Sequence, residues 1–311
     1  MTENYKELAF VMLSHRQPDA VFRRLLNRLS EIQNAAIGIH HDFGQSDFPQ
    51  ELIDEHDLSM VNDWTPTQWG HASKVPATLK VFRDLLENTS AEWFITISPN
   101  CYPLKATTGI ADFFRHAQSD AMVEMRPVLK GSPPGILRNK YRFLFSKRLF
   151  AIPWISKRGQ FYFRDLRIPV ARGRTPFAEL TPYQGSDWFA LRRRVVEKML
   201  SKKIEEGDVL AYLSKINRQK NTLVSPIEMV IQTFLGNESD INIETNNYRF
   251  IDWENAKNFH PNTLTMKHWS SIRTSNALFA RKFSPSISDE LLCRIDQEVL
   301  VCPRVSGGSN D

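Results

Sequence analysis

Three places in the 311-residue sequence combine residue types that can do chemistry. The first is Ser225-Pro226-Ile227-Glu228, which runs on into Met229-Val230-Ile231-Gln232-Thr233-Phe234-Leu235. Ser225 is a good N-cap, Pro226 suits the first helical position, and Glu228 stands three residues after the cap, the pattern of a capping box. Ile227, Val230, Ile231, Phe234 and Leu235 recur at helical spacing, so a helix over 226–235 has one core face, with Glu228 and Gln232 on the face beside it. A carboxylate held in the first turn of such a helix can act as a fixed general base, or it can do no more than bond back to the Ser225 amide. The second place is Gly185-Ser186-Asp187-Trp188-Phe189, where the glycine predicts a tight approach of backbone to ligand at the entry to a strand. The third is Leu278-Phe279-Ala280-Arg281-Lys282-Phe283, two cations in an apolar frame. They are either an exposed pair or, as the flanking phenylalanines favour, a partly buried site.

The elements that must position these residues begin with a βαβ unit. Apolar runs predict strands over 8–13, 35–40, 58–61, 93–97 and 121–125, and amphipathic spacing predicts helices over 19–31, 71–87 and 108–116. Ligands of such sheets sit beyond the C-terminal strand ends. His15, Arg16 and Asp42 fall at those ends, and so do Glu124 and Arg126 on the last strand of this half. Asp42 can hold a ribose or base edge, or be a solvated loop acid. Residues 47–57 read as irregular and 98–104 as turn-rich. Further on, 183–191 and 248–253 read as strands, 192–200, 209–215 and 287–300 as helices, 258–265 as a loop, and 303–311 as a disordered tail.

The net charge of +5 is unevenly spread: Lys130 to Arg174 holds twelve Lys/Arg against one acid, Asp165. From Arg138 to Phe150 the cations alternate with Phe, Tyr and Leu. Such a block suits an anionic membrane surface, a polyanionic glycan or a nucleic-acid groove, and equally a solvated connection. The three cysteines are scattered, with no Cys-x-x-Cys, which argues against a disulfide framework or cysteine zinc site and fits a reducing compartment. The polar start and the short apolar run at 8–13 do not suit a signal peptide or membrane span, so the expectation is a cytoplasmic protein, peripheral to a membrane at most.

Taken in order, several stretches resemble one family, the inverting glycosyltransferases that comprise the core-2/I-branching β-1,6-N-acetylglucosaminyltransferases and the peptide-O-xylosyltransferases. They are Leu13-Ser14-His15-Arg16, Ile39-His40-His41-Asp42, Trp69-Gly70-His71-Ala72-Ser73, Phe94 to Pro103, Gly185 to Phe189, Ser225 to Glu228, Asn247 to Trp253 and Phe279 to Phe283. The resemblance implies an α/β fold of GT-A type: a Rossmann-like nucleotide-binding half (1–126), a basic aromatic insertion (127–182) and an acceptor half (183–300) in one domain, then the tail 301–311.

It also implies roles. Glu228 matches the catalytic base of the N-acetylglucosaminyl branch, and Asp187 matches the acid of the xylosyl branch. Arg281 and Lys282 match the basic pair on the UDP diphosphate. Asp42 matches an acid at the uridine end, with His15 and Arg16 on the same donor side. Glu124, Arg126 and Trp188 fall to the acceptor. The loop around His260 takes roughly the place of a second diphosphate-binding arginine of the branching enzymes. No Asp-x-Asp occurs, so the cations are expected to replace a metal, and no cofactor beyond the UDP-sugar is expected. The family's animal members are membrane-anchored and disulfide-rich. This chain is therefore expected to be a bacterial-type cytoplasmic relative that moves N-acetylglucosamine or xylose to a glycan or lipid-linked saccharide, without nucleic acid. The competing expectations are a non-catalytic polyanion or nucleic-acid binder using 130–174, and a glycan-binding relative without turnover.

Overall fold

The computed structural model describes residues 6–128, 141–145, 167–171, 176–217, 225–256 and 260–300. In chain order the strands and helices are β1 (Leu8–Ser14), α1 (Ala20–Ser30), β2 (Ala35–His41), α2 (Gln50–Glu55), β3 (Leu58–Met60), α3 (Lys74–Asn88), β4 (Trp93–Ile97), β5 (Cys101–Pro103), α4 (Thr107–His116) and β6 (Ala121–Pro127). They continue with β7 (Tyr141–Phe145), β8 (Arg167–Ala171), β9 (Tyr183–Arg192), α5 (Arg193–Ser201), α6 (Asp208–Asn217), α7 (Val230–Gly236), β10 (Ile243–Glu244), β11 (Arg249–Ile251), α8 (Trp269–Thr274), β12 (Phe279–Arg281) and α9 (Asp289–Ile295). The expected βαβ opening is present. Asp19 caps α1 by accepting the Phe22 amide at 3.0 Å, and Val21, Phe22, Leu25, Leu26 and Leu29 form its buried stripe.

Seven strands form one sheet in the order β10-β6-β9-β4-β1-β2-β3. β1 is parallel to β2 and β4, and β2 to β3, whereas β9 runs antiparallel between β4 and β6. The first 126 residues therefore do not make a separate parallel sheet: a strand from the later part of the chain is inserted into it. One core lies between one sheet face and α1, α4, α9 and the small sheet β11-β12-β5, the other between the opposite face and α3, α5, α6 and α7. Because side chains alternate along a strand, β9 sends Phe189 into one core and Ala190 into the other.

Several expectations need correction. Residues 47–57 contain α2, and the turn-rich 98–104 contains β5. α3 starts at Lys74 rather than His71, and the terminal helix ends its regular part at Ile295 before a π-helical Asp296–Leu300. β6 runs on to Pro127, past the expected end at 125, so Glu124 and Arg126 both lie inside it, beside a bulge between Val123 and Met125. Of the basic block 130–174, only the antiparallel pair β7–β8 is described. Its remaining residues, the tail 303–311 and Cys302 lie outside the described residues. Among the described residues, no helix is long and apolar enough to cross a membrane.

Candidate active site

The helix expected over 226–235 is broken in two. Pro226–Glu228 is a 3-10 turn, Met229 leaves the helical region at φ −134°, and α7 begins only at Val230. Ser225 makes no side-chain cap, so the capping box is not formed and Glu228 does not return to the Ser225 amide. Ile227, Met229, Val230 and Ile231 are all buried, and they pack the turn against β9 and α3. That packing overrides the local capping preference and leaves the Glu228 carboxyl within the fields of Asp187 and Lys74.

Asp187 is brought there by β9. Gly185 allows it: a Cβ at this position would stand 2.1 Å from the Glu124 carbonyl oxygen across the bulge. The tight approach expected of this glycine is therefore to the β6 backbone. The β4–β9 ladder ends at Ile95↔Ala190, and beyond it the Thr96 side chain takes over. Its hydroxyl accepts the Phe189 amide at 2.8 Å and lies 3.0 Å from the Asp187 and Phe189 carbonyls. Lys74, in the first turn of α3, donates to Asp187 Oδ2 at 2.6 Å. Gln232 is fully buried and donates its amide to the Ser186 carbonyl at 2.8 Å. Burial, and then the charge of Asp187, push the Glu228 carboxyl up to about 7, with Lys74 opposing.

The neighbouring residue Trp188 points to the other face, where the Arg281 guanidinium stacks on it at 4.4 Å. The structure thus places Trp188 with the cations rather than beside Glu124 and Arg126. Next to Arg281 lies Arg249, on the strand parallel to it. Arg249 is half-buried with a buried Nε, and its guanidinium stacks on Phe279 at 4.3 Å. Its Nη2 donates to the Thr96 carbonyl at 2.8 Å. Burial lowers its pKa to about 10, which still leaves it charged at neutral pH. Among the described residues, no ion pair includes Arg249, Arg281 or Lys282. Arg249 was missed in the sequence, although the signal used for Arg281 and Lys282, a cation set in an apolar strand, was present in Tyr248-Arg249-Phe250-Ile251. His260, by contrast, is exposed with its ring tilted against Trp69 at 5.2 Å, and the cation beside Arg281 is Arg249.

The remaining expected residues ring this centre. Both Asp42 oxygens are engaged: Oδ1 accepts from the Gly44 amide, and Oδ2 from Gln45 and from the Thr67 amide and hydroxyl. These bonds hold the carboxyl below its usual range, against its burial. Two residues earlier, His40 Nε2 accepts the Thr65 amide at 3.0 Å, so β2 clamps the 64–73 loop at two alternate residues. Asp42 is thus a loop organiser at the strand end. His15 is exposed, accepts from Arg16 at 3.2 Å and lies within the fields of Asp42 and Lys74. Glu124 receives Asn247 Nδ2 at 3.5 Å, and Asn247 Oδ1 accepts the Arg249 amide, while Arg126 is exposed further along β6.

Buried polar atoms normally have partners. Among the described residues, four of the buried side-chain atoms that lack one belong to this centre: Asp187 Oδ1, Gln232 Oε1, Arg249 Nε and Arg281 Nε. The two acceptors lie on one side of β9 and the two donors on the other. Such an arrangement suits a ligand that presents hydroxyls at one end and anionic oxygens at the other.

Comparison with known proteins adds two findings. The model of the family described as Core-2/I-Branching enzyme matches residues 8–277. The chain is 29% identical over 232 residues to the beta-glucuronosyltransferase GlcAT14A of Arabidopsis thaliana, covering 70% of this chain and 44% of that protein. It is 21% identical over 318 residues to xylosyltransferase 1 of Rattus norvegicus, covering 95% of this chain and 36% of that one. The chain therefore spans less than half the length of these relatives.

Proposed function

The chain belongs to the Core-2/I-Branching enzyme family, and from that premise we propose that it is an inverting glycosyltransferase that uses a UDP-sugar. Its mixed α/β architecture around the seven-stranded sheet is GT-A-like, in keeping with the family. The observation that carries the reading is the gathering of unpartnered buried donors on Arg249 and Arg281 across the strand end from Glu228 and Asp187.

In this reading the diphosphate lies against Arg249, Arg281 and Lys282. Guanidinium donors suit phosphate oxygens, and a half-buried arginine that has no carboxylate and no partner for its buried Nε is stabilised by an anion. Glu228 takes the proton of the acceptor hydroxyl as its oxygen attacks the anomeric carbon. The bond from that carbon to the diphosphate oxygen breaks, and UDP leaves with the electron pair. The cations then stabilise the charge that develops on the leaving group, without a metal. The relatives' names add a glucuronosyl donor to the N-acetylglucosaminyl and xylosyl ones. The acceptor is a saccharide hydroxyl.

The test is a thermal-shift panel of UDP, UDP-N-acetylglucosamine, UDP-xylose and UDP-glucuronate with EDTA present, on the wild type and on Arg249→Met. The expected result is a selective rise with UDP and one UDP-sugar, worth about 2.7 kcal/mol at a hundred times Kd and largely lost in the variant. A rise that needs added manganese or magnesium removes the metal-free part of the proposal. No rise with any nucleotide removes the proposal itself.

A further inference from the structure

The part of β9 that carries the site residues lies outside the regular ladders of the sheet. On one side the pairing with β4 ends at Ile95↔Ala190. On the other the register passes from Val123↔Phe189 straight to Met125↔Gly185. Ser186, Asp187 and Trp188 therefore stand opposite the single Glu124, with no register partner in either neighbour. Polar side chains take the place of the ladder. Gln232 donates to the Ser186 carbonyl at 2.8 Å, Ser186 Oγ accepts the Trp188 amide at 3.1 Å, and the Thr96 hydroxyl accepts the Phe189 amide at 2.8 Å. The same hydroxyl lies 3.0 Å from the Asp187 and Phe189 carbonyls, which share its one proton.

Resting on the transferase reading, we propose that Thr96 is a positioning residue that holds the carboxyl side and the cation side of the site in one register. Thr96 is buried, and its own place is set by the sheet: it lies in β4, paired with Val11 of β1. Its hydroxyl clasps the β9 backbone on both sides of Trp188, at Asp187 and at Phe189. Successive side chains of a strand point to opposite faces, so this one clasp aims Asp187 at Lys74 and Trp188 at Arg281. The Thr96 carbonyl meanwhile accepts from Arg249 Nη2 at 2.8 Å. A single residue is thus bonded to the strand that carries Asp187 and to an arginine of the diphosphate side. Gln232 and Ser186 hold the same stretch, but their bonds to it reach neither arginine. Transfer needs the attacking oxygen and the departing diphosphate in line, so a small shift of one side against the other slows the step.

The hydroxyl and the carbonyl are separable by mutation. Thr96→Val keeps the shape and the carbonyl and removes the hydroxyl. The test uses the full chain with EDTA present and the UDP-sugar that the thermal-shift panel selects. UDP affinity is read by calorimetry, and kcat and KM by release of UDP with water as the acceptor. Thr96→Val is expected to lower kcat about tenfold or more while UDP affinity stays within about threefold, because Arg249 keeps its carbonyl. Thr96→Ser retains the hydroxyl and is expected to recover kcat to within about threefold of the wild type. A second readout needs no turnover. UDP is expected to slow amide exchange over 185–190 in the wild type, and Thr96→Val is expected to lose that slowing while still binding UDP.

The proposal is overturned by a kcat of Thr96→Val lowered less than about tenfold, by a loss of UDP affinity as large as the loss of kcat, by Thr96→Ser as slow as Thr96→Val, or by UDP slowing exchange equally in Thr96→Val and the wild type. A merely structural role for Thr96 would weaken binding and turnover together. If Thr96→Val does not fold, Thr96→Ala set against Thr96→Ser isolates the same hydroxyl. Failure of the underlying reading shows instead in the wild type: a chain that neither binds UDP nor releases it from any of the UDP-sugars is not such a transferase, and Thr96 then has no site to position.

Discussion

Glu228 carries the first prediction. Its carboxyl is raised to about 7 by burial and by Asp187, so it is half ionised near neutrality, where a general base works well. Turnover should rise with pH through about 7, and Glu228→Gln should lower it roughly a hundred- to ten-thousand-fold and abolish that rise. The same shift has a stability consequence whose sign is fixed. The folded value lies above the ordinary 4.5, so the contribution to stability is complete below about 4.5 and is lost as pH rises through about 7. Glu228→Gln should therefore melt above the wild type at pH 8, by on the order of 2 kcal/mol, with the difference gone near pH 4. A scan of melting temperature against pH for the two proteins checks this. Arg249 teaches the complementary lesson. Its residue type and apolar frame were visible in the sequence, but its neighbour Arg281 lies 32 positions away, and only the pairing of β11 with β12 joins the two.

At the scale of elements, local preference and tertiary packing disagree at one place that matters. Ser225, Pro226 and Glu228 spell a helix start, yet burial of Ile227 and Met229 breaks the helix there and turns Glu228 inward. Elsewhere the periodicity was sufficient: β4 lies over Trp93–Ile97 as its apolar run predicts, and α1 is capped by Asp19. The bulge of β6 against Gly185 is the element that aims Asp187. A Cβ at Gly185 meets backbone at 2.1 Å and 2.8 Å, which no rotamer change can relieve. Gly185→Ala should cost about 2 kcal/mol or more of stability and lower the rate along with it, since Asp187 is two residues away. Denaturant unfolding and turnover of the purified variant measure both. An alanine variant equal to the wild type in both would show that the bulge does not set the position of Asp187.

For the molecule as a whole, the carboxylate of Asp296 is a tie between distant parts of the chain. Its oxygens receive Arg24 at 2.5 Å and 2.8 Å, Arg28 at 3.2 Å and the Tyr102 hydroxyl at 2.7 Å. It therefore joins α1 and β5 to the segment after α9, and the side chain is only 14% exposed. Removing it leaves the Tyr102 hydroxyl without its acceptor, takes the carboxylate from Arg24 and leaves Arg28 only Glu31, so Asp296→Ala should lose about 3 kcal/mol in denaturant unfolding, and Asp296→Asn less. Equal stability of Asp296→Ala and wild type would refute the tie.

The sequence by itself determined the βαβ opening, the strand over 93–97, the site stretches around Asp187, Glu228 and Arg281, and the ordered motifs that mark the family. Each of these is written in residue type and short spacing. Only the tertiary structure decided that β9 enters between β4 and β6, that Lys74 is bonded to Asp187 and that Arg249 stands beside Arg281. Lys74 and Asp187 are 113 residues apart, and their meeting depends on how the sheet closes over two separate cores. The outcome of that closure is a global packing balance, which no short window of sequence contains.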